Sequence, residues 1–205
     1  DNYQPDRGKV MSRQELEDAA SFRRYADVDG DGIPQRSWPG VHPKGGYFTR
    51  GSGHNESAQY TESEDDYQKL MERLQRKMAD ASRYLPAPVM REASKPTRLG
   101  VIAYGSSDWA VREALDVMAE SGVHANYLRV RSFPFGDDVQ AFMDNHDHVF
   151  IVEQNRDAQL KILMLAELDV HKSDMTSVLH FNGMPITAKV LVDALSAHVS
   201  REAAA

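Results

Sequence analysis

Three stretches of the sequence combine residue types and spacings that could do chemistry, and the most regular is a run of alternating aspartates. Asp27, Asp29 and Asp31 alternate with other residues, and Gly32 occupies the sixth position of the run. This is the pattern of the first half of an EF-hand loop, whose oxygen ligands suit Ca²⁺. The twelfth position is Trp38 rather than a bidentate Glu. A calcium site therefore stays open as an interpretation beside a plain Asp/Gly turn, which is the commoner meaning of such a run.

A glycine-rich loop at residues 51–53 is followed by an imidazole and a carboxylate, those of His54 and Glu56. Histidine and carboxylate side chains are the usual general acids and bases, and glycine lets the backbone approach a phosphate closely. The loop lacks the spacing of a Rossmann fingerprint or a P-loop. His54 and Glu56 are thus candidate catalytic residues, and the alternative is a surface or interface loop in which both make structural hydrogen bonds.

Further candidates follow the apolar runs that we predict as strands. Gly105, Ser106 and Asn155 stand where a strand ends and a helix begins. In an open parallel sheet, ligands bind at this edge and helix N-termini can hold anions, so the three residues are candidates for cofactor or anion binding. The same residue types cap helices whether or not a ligand binds. Ser106 is not within a Gly-x-Ser-x-Gly elbow, which argues against a hydrolase.

Composition limits the classes of function. The chain has 205 residues, a net charge of −7 and no cysteine. Without cysteine it can form neither a disulfide nor a Cys-ligated iron–sulfur cluster of its own. The negative charge argues against non-specific nucleic-acid binding, and no apolar run approaches the roughly 20 residues that span a bilayer. We expect a cytoplasmic protein, and the start at Asp1 rather than Met is expected of a piece of a longer chain or of a processed one.

The second half of the chain supplies the elements that position the strand-end candidates. Apolar runs of strand length alternate with helical patterns between residues 97 and 200. This alternation predicts the α/β class, with an open, mostly parallel sheet and helices on both faces. The predicted strands are 99–104, 124–130, 148–153 and 177–181, and the predicted helices are 108–121, 137–145, 156–168 and 187–199.

The first half, residues 1–96, is predicted to be a loop-rich segment with few regular elements. Ser12 and Glu15 have the spacing of a capping box, which predicts a short helix running on to Phe22. Residues 27–63 have the composition of turns. Apolar residues then recur at steps of three and four, which predicts an amphipathic helix over 64–84, and the prolines of 86–96 predict a linker to the second domain at 97–200.

Several stretches, taken in order along the chain, resemble a known enzyme family. The longest reads YFTRGSGHNE at 47–56, and the clearest one in the second half reads VEQNRD at 152–157. The others are 6–9, 22–25, 31–36, 39–40, 104–107 and 133–135, together with Gln159. The set resembles the C-terminal portion of the alpha subunit of 2-oxoacid:acceptor (ferredoxin) oxidoreductases, especially of the 2-oxoglutarate type. Gly53, Asn55 and Ala158 depart from the residues that many members carry, which are Glu, Asp and Gly.

This resemblance implies an oxidoreductase complex that converts a 2-oxoacid such as 2-oxoglutarate to its acyl-CoA. Its expected cofactors are thiamine diphosphate, Mg²⁺, coenzyme A and a [4Fe–4S] cluster, with ferredoxin as electron acceptor. In that family the diphosphate–magnesium site and the cluster cysteines lie on a beta subunit. The present chain would contribute a transketolase-C-terminal-like domain.

On this basis the partners are the remainder of the alpha subunit and the beta subunit. No cofactor is expected to be held by this chain alone, and the chain alone is expected to be inactive. Its role would be assembly, with the loop over 27–62 wrapping over a neighbouring domain. Two rival hypotheses are a stand-alone α/β module that binds a small anion at the sheet edge and a calcium-stabilised scaffold.

Overall fold

A computed structural model describes residues 4–48 and 51–202, and it divides the chain into two compact units, Asp1–Ala81 and Ser82–Ala205. Asp1 lies outside the described residues, and so do Thr49 and Arg50 of the stretch at 47–56. Among the described residues, no helix has the length and apolar character needed to cross a membrane.

The first unit contains two α-helices. Helix α1, Arg13–Asp18, begins with the predicted capping box, in which Ser12 Oγ accepts a hydrogen bond from Glu15 N–H and the Glu15 carboxylate accepts one from Ser12 N–H at 2.6 Å. The prediction that this helix reaches Phe22 is wrong, because Ala19 turns to an extended conformation and ends the helix there.

Helix α2, Glu64–Ala81, runs on as a 3₁₀ turn over Ser82–Tyr84, which confirms the predicted helix over 64–84. The first turn of α2 carries three acidic residues, Glu64, Asp65 and Asp66. Negative charge at this end stabilises a helix because the unpaired backbone N–H groups there are partly positive.

The second unit is built on a five-stranded sheet in the order β1-β3-β2-β4-β5. The strands are β1 (Val89–Arg91), β2 (Leu99–Tyr104), β3 (Asn126–Val130), β4 (His148–Glu153) and β5 (Met175–Leu179). Strands β2 to β5 are parallel, and β1 pairs with β3 in the antiparallel sense at one edge. The predicted α/β fold is therefore confirmed.

Four helices cover the two faces of this sheet: α3 (Asp108–Glu120), α4 (Asp137–Asp144), α5 (Gln159–Glu167) and α6 (Ala188–Glu202). Successive strand residues point to opposite faces. Val101 and Ala103 accordingly pack in one apolar cluster with residues of α3 and α6, whereas Ile102 packs in the other with residues of α4 and α5. Both clusters are buried, and together they fix the positions of the strand ends.

Three strands differ from the sequence-based expectation. Strand β1 lies inside the segment predicted as a linker. Strand β3 spans Asn126–Val130 rather than 124–130, and β5 spans Met175–Leu179 rather than 177–181. Strand β1 has only three residues, too few to show a period, and its partner is β3, with Val89 opposite Arg129. Its formation thus depends on a long-range pairing that no local pattern reveals.

Candidate functional site

The three aspartates of the calcium-like run are held together by positive side chains. Their carboxylate oxygens lie within 4.8 Å of one another. The ammonium of Lys9 donates hydrogen bonds to both oxygens of Asp29 at 2.7 Å and to Asp31 at 2.6 Å. Asp27 pairs with Arg76 at 3.1 Å. The position between Asp29 and Asp31 is thus taken by a lysine ammonium, so the geometry favours the turn over a cation site.

This turn also brings the backbone of residue 32 against helix α2. Gly32 has a φ of +78°, and a Cβ at this position would lie 2.5 Å from the backbone nitrogen of Lys77. The Gly32 N–H donates to Asp27 Oδ1 at 2.9 Å, and Gly32 O accepts a hydrogen bond from Arg73 at 3.0 Å. Glycine is needed here for its conformation and for the close approach.

His54 is positioned by an aromatic stack. Its ring lies on that of Tyr25, with 3.8 Å between centroids and 20° between planes. His54 Nδ1 lies 3.2 Å from Asn55 O, and because a carbonyl oxygen only accepts, Nδ1 carries the proton.

Glu56 lies on the same loop but is already engaged. Its carboxylate pairs with Arg23, and its backbone oxygen accepts a hydrogen bond from Tyr25 N–H at 2.8 Å. His54 and Glu56 line one cavity of about 600 Å³. Tyr25 and His54 also line a second cavity, of about 670 Å³. The structure therefore brings both candidate residues together, although the Glu56 carboxylate has a structural partner.

At the carboxyl edge of the sheet, the residue that occupies the candidate anion site is one that the sequence analysis did not single out. Glu153, the last residue of β4, is completely buried. Its carboxylate accepts hydrogen bonds from Leu160 N–H at 2.7 Å, Lys161 N–H at 3.1 Å and the Asn155 amide at 2.8 Å. The N–H groups of Leu160 and Lys161 belong to the first turn of α5, the part of a helix where an anion binds. An acidic residue ending an otherwise apolar strand was the available sequence signal.

The predicted strand-end candidates are likewise engaged within the chain. The Gln154 amide donates to Ser106 Oγ and Ser107 Oγ, both at 3.1 Å. Asn155 Oδ1 accepts hydrogen bonds from the backbone N–H groups of Asp157 and Gln159 at 3.0 and 3.3 Å. Gly105, with a φ of +60°, forms the turn that leads from β2 into α3. Ser106 and Asn155 thus serve the turns that begin α3 and α5.

A second buried carboxylate ties α3 to the sheet. Asp108 accepts hydrogen bonds from Tyr127 Oη at 3.0 Å, Arg112 Nε at 3.0 Å and Arg129 Nη1 at 3.2 Å. Burial raises the pKa of Tyr127, and the hydrogen bond to Asp108 raises it further. Tyr127 therefore stays protonated and donates its hydrogen bond. The hydrogen bonds of Asp108 to Tyr127 and Arg129 hold α3 against the sheet.

The second unit is thus an α/β domain on an open, mostly parallel sheet whose carboxyl edge is occupied by its own side chains. No family model matches the chain. Over 184 residues, however, it is 28% identical to "2-oxoacid:ferredoxin oxidoreductase 2, subunit alpha" from Aeropyrum pernix. The alignment covers 88% of this chain but 27% of that relative, so the chain spans about a quarter of the relative's length.

A solved structure has the same fold. It is a 2-oxoglutarate:ferredoxin oxidoreductase from Magnetococcus marinus, described with 2-oxoglutarate, coenzyme A and succinyl-CoA bound. The TM-score is 0.77 at 20% identity, with 88% of this chain and 31% of that chain covered. The predicted resemblance is confirmed: this chain is similar to the alpha subunit of 2-oxoacid:ferredoxin oxidoreductases.

Proposed function

We propose that the chain is part of the alpha subunit of a 2-oxoacid:ferredoxin oxidoreductase and that its role there is assembly rather than chemistry. The observation that carries this proposal is the similarity to such an alpha subunit over 88% of the chain. The reaction of the complex would be the oxidative decarboxylation of a 2-oxoacid, 2-oxoglutarate being the first candidate, to its acyl-CoA. The partners would be the remainder of the alpha subunit, the beta subunit and ferredoxin, in the cytoplasm.

The residues of this chain give reasons to place the cofactors on other segments of the complex. The sequence has no cysteine, so a [4Fe–4S] cluster would take its thiolate ligands from another segment. The alternating aspartates do not fit Mg²⁺, because Lys9 already neutralises Asp29 and Asp31. The α5 N-terminus does not fit a diphosphate, because the Glu153 carboxylate fills it. We therefore assign no step of the reaction to thiamine diphosphate or coenzyme A held by these residues.

Exposed apolar side chains support the assembly role. Several lie around the carboxyl edge of the sheet, where Trp109 at the start of α3 is 77% exposed and Phe181 after β5 is 61% exposed. In the loop over 27–62, Val28 and Phe48 are also largely exposed. Large apolar side chains that are left exposed often belong to contact surfaces in proteins. We assign both surfaces to contacts with the other domains and subunits of the enzyme.

The proposal is tested on the complex isolated from its source through a tag on this chain. We expect coenzyme A-dependent reduction of methyl viologen by 2-oxoglutarate or, failing that, by pyruvate or a branched-chain 2-oxoacid. The isolated 205-residue chain should show no activity with any of them. A complex that reduces the dye with none of these acids would contradict the proposed reaction.

The assembly role is tested with two variants of one helix. Trp109→Ser removes the exposed indole at the sheet edge, whereas Val117→Ser changes another exposed apolar residue of α3. We expect Trp109→Ser to lower the amount of beta subunit recovered with the tagged chain and Val117→Ser to leave it unchanged. Equal recovery from both variants would remove the sheet edge from the interface.

The alternative of a stand-alone anion-binding module rested on Gly105, Ser106 and Asn155 at that sheet edge. No contact of the described residues favours it, because Glu153 supplies the anion at α5 and Gln154 donates to Ser106.

A further inference from the structure

The cavity of about 670 Å³ in the first unit, called the basic cavity below, has an uneven distribution of charge. Five lysine and arginine side chains line it, and none of its lining residues is acidic. They are Lys9, Arg24, Arg36, Arg73 and Lys77. The neighbouring cavity of about 600 Å³ differs, because carboxylates such as Asp27 and Glu56 line it together with its basic residues. The two cavities share Arg73, but only the basic cavity has a net positive lining.

In the described part of the chain, four of the five cations form no ion pair with a carboxylate. Lys9 is neutralised by Asp29 and Asp31. In residues 4–48 and 51–202, no ion pair joins Arg24, Arg36, Arg73 or Lys77 to an acidic side chain. The hydrogen bonds of the three arginines go to backbone carbonyls, which carry only partial charges.

Among these cations, Arg73 is the clearest case of a buried positive charge without an ion pair. It is 8% exposed, and its guanidinium donates a hydrogen bond to Gly32 O at 3.0 Å. Burial lowers its pKa, and repulsion from Arg24 contributes in the same direction although Asp27 opposes it. Within the described part of the chain, the buried Nε of Arg24 has no hydrogen-bond partner either. A cation taken out of water is costly unless an anion compensates it.

The same cavity has an apolar side. Leu70, Met71 and Leu74 of α2 line it, and so do the aromatic rings of Tyr25 and Tyr67. The glycine-rich loop at 51–53 completes the lining with little side-chain bulk. Small-molecule sites commonly have volumes of roughly 300–1,000 Å³ and combine apolar walls with a few polar anchors. The basic cavity has the volume of such a site, and its lining combines an apolar wall with charged side chains.

We propose that the basic cavity binds an organic phosphate monoester, with the phosphate among Arg24, Arg36, Arg73 and Lys77 and the apolar body along α2. A phosphate dianion matches several cations better than a single carboxylate does, and guanidinium groups bind its oxygens in a bidentate manner. The proposal is independent of the assembly role, since it concerns one unit of this chain only.

The test is isothermal titration calorimetry of the 205-residue chain with inorganic phosphate and with phenyl phosphate. Phenyl phosphate is expected to bind about tenfold more tightly, because its ring adds apolar contact worth roughly the 1.4 kcal/mol that a tenfold change represents. Lys77→Gln should weaken both ligands about tenfold by removing a charged donor. Met71→Ala should weaken phenyl phosphate alone.

Lys69→Gln is the matched control, because Lys69 lies on the same helix but lines the other cavity. It should change neither affinity, and circular dichroism checks that each variant is folded. Equal losses from Lys69→Gln and Lys77→Gln would show unspecific attraction and overturn the proposal. Failure of both phosphates to bind would also overturn it. If a glutamate-rich peptide bound where the phosphates did not, the cavity would instead receive an acidic protein segment.

Discussion

At the scale of the residue, the ammonium of Lys9 brings to the alternating aspartates the positive charge that a calcium loop takes from a metal ion. Burial lowers the pKa of Lys9, but its hydrogen bonds to Asp29 and Asp31 outweigh this effect, so the net pKa is raised. The hydrogen bond from Lys9 in turn lowers the pKa of Asp31. Both side chains are less than a third exposed, so solvent screens the pair only in part.

These pKa shifts predict how stability depends on pH. The contribution of Asp31 is fully present above about pH 4, the ordinary value for Asp, and is lost as the pH falls through its lower folded pKa. The contribution of Lys9 is fully present below about pH 10.4 and is lost as the pH rises through its higher folded pKa. We expect Lys9→Met to destabilise the chain by about 1 kcal/mol at pH 7 and to reduce its loss of stability in acid. Thermal unfolding between pH 2.5 and 9 measures both effects.

Lys69→Met is the control, since Lys69 is exposed and no ion pair among the described residues joins it to the aspartates. It should leave the acid limb of the stability curve unchanged. Addition of a calcium chelator should leave the melting temperature of the wild-type chain unchanged, because Lys9 occupies the position between the carboxylates. A melting temperature that falls with the chelator would restore the calcium interpretation.

At the scale of the element, helix α2 is held by the backbone of the Asp/Gly turn. Arg73 and Lys77 are four residues apart on α2, and Gly32 packs against the backbone of both. The contact involves backbone atoms, which cannot move aside as the end of a flexible side chain can. The packing of α2 therefore depends on the absence of a Cβ at residue 32.

Gly32→Ala and Gly30→Ala separate this packing from backbone strain. Both glycines have positive φ, +78° and +82°, but a Cβ on Gly30 would meet nothing within 4 Å. Gly30→Ala should therefore cost only the left-handed conformation, about 1–2 kcal/mol. Gly32→Ala adds overpacking and should cost at least about 3 kcal/mol. Urea unfolding followed by the helical signal gives the two values, and equal costs would contradict the packing argument.

The regular elements were predictable where the signal lies within the element itself. The capping box of Ser12 and Glu15, the apolar period of α2 and the apolar runs of β2 and β4 all act between near neighbours in sequence. Strand β1 was missed because its three residues gain order only by pairing with β3.

At the scale of the whole molecule, β1 also bears on where the second domain begins. The sequence suggested residue 97, whereas the second compact unit begins at Ser82 and includes β1. Arg91 of β1 donates to Arg112 O at 3.2 Å and pairs with Asp116, which are both on α3. A fragment that starts at residue 97 would lose these contacts and leave β3 as an unpaired edge.

We expect the fragment 82–202 to unfold at a higher urea concentration than the fragment 97–202. Unpaired edge strands also promote association, so the shorter fragment should elute partly as oligomers in size-exclusion chromatography. Arg91→Ala in the longer fragment removes only the side-chain contacts with α3. Its urea midpoint should lie between those of the two fragments. Equal midpoints for both fragments would place the domain boundary at residue 97.

Much of the candidate site could not be read from the sequence, because its contacts join distant residues. The stack of Tyr25 on His54 and the contact of Lys9 with Asp31 each bridge more than twenty positions. The sequence did bring out His54, Glu56 and the aspartates by residue type. It could not show that Arg23 would pair with Glu56 or that Lys9 would reach the aspartates, since tertiary packing alone decides these partners.

The buried carboxylate of Glu153 has a consequence for how this sheet can change over evolutionary time. In many open α/β sheets, a bound anionic ligand occupies the N-terminus of such a helix. Here the Glu153 carboxylate of the chain itself occupies the N-terminus of α5. This contact holds α5 in place whether or not a small molecule is present. Because this helix end is already filled by Glu153, the residues around it can contact a neighbouring domain without keeping a ligand site open.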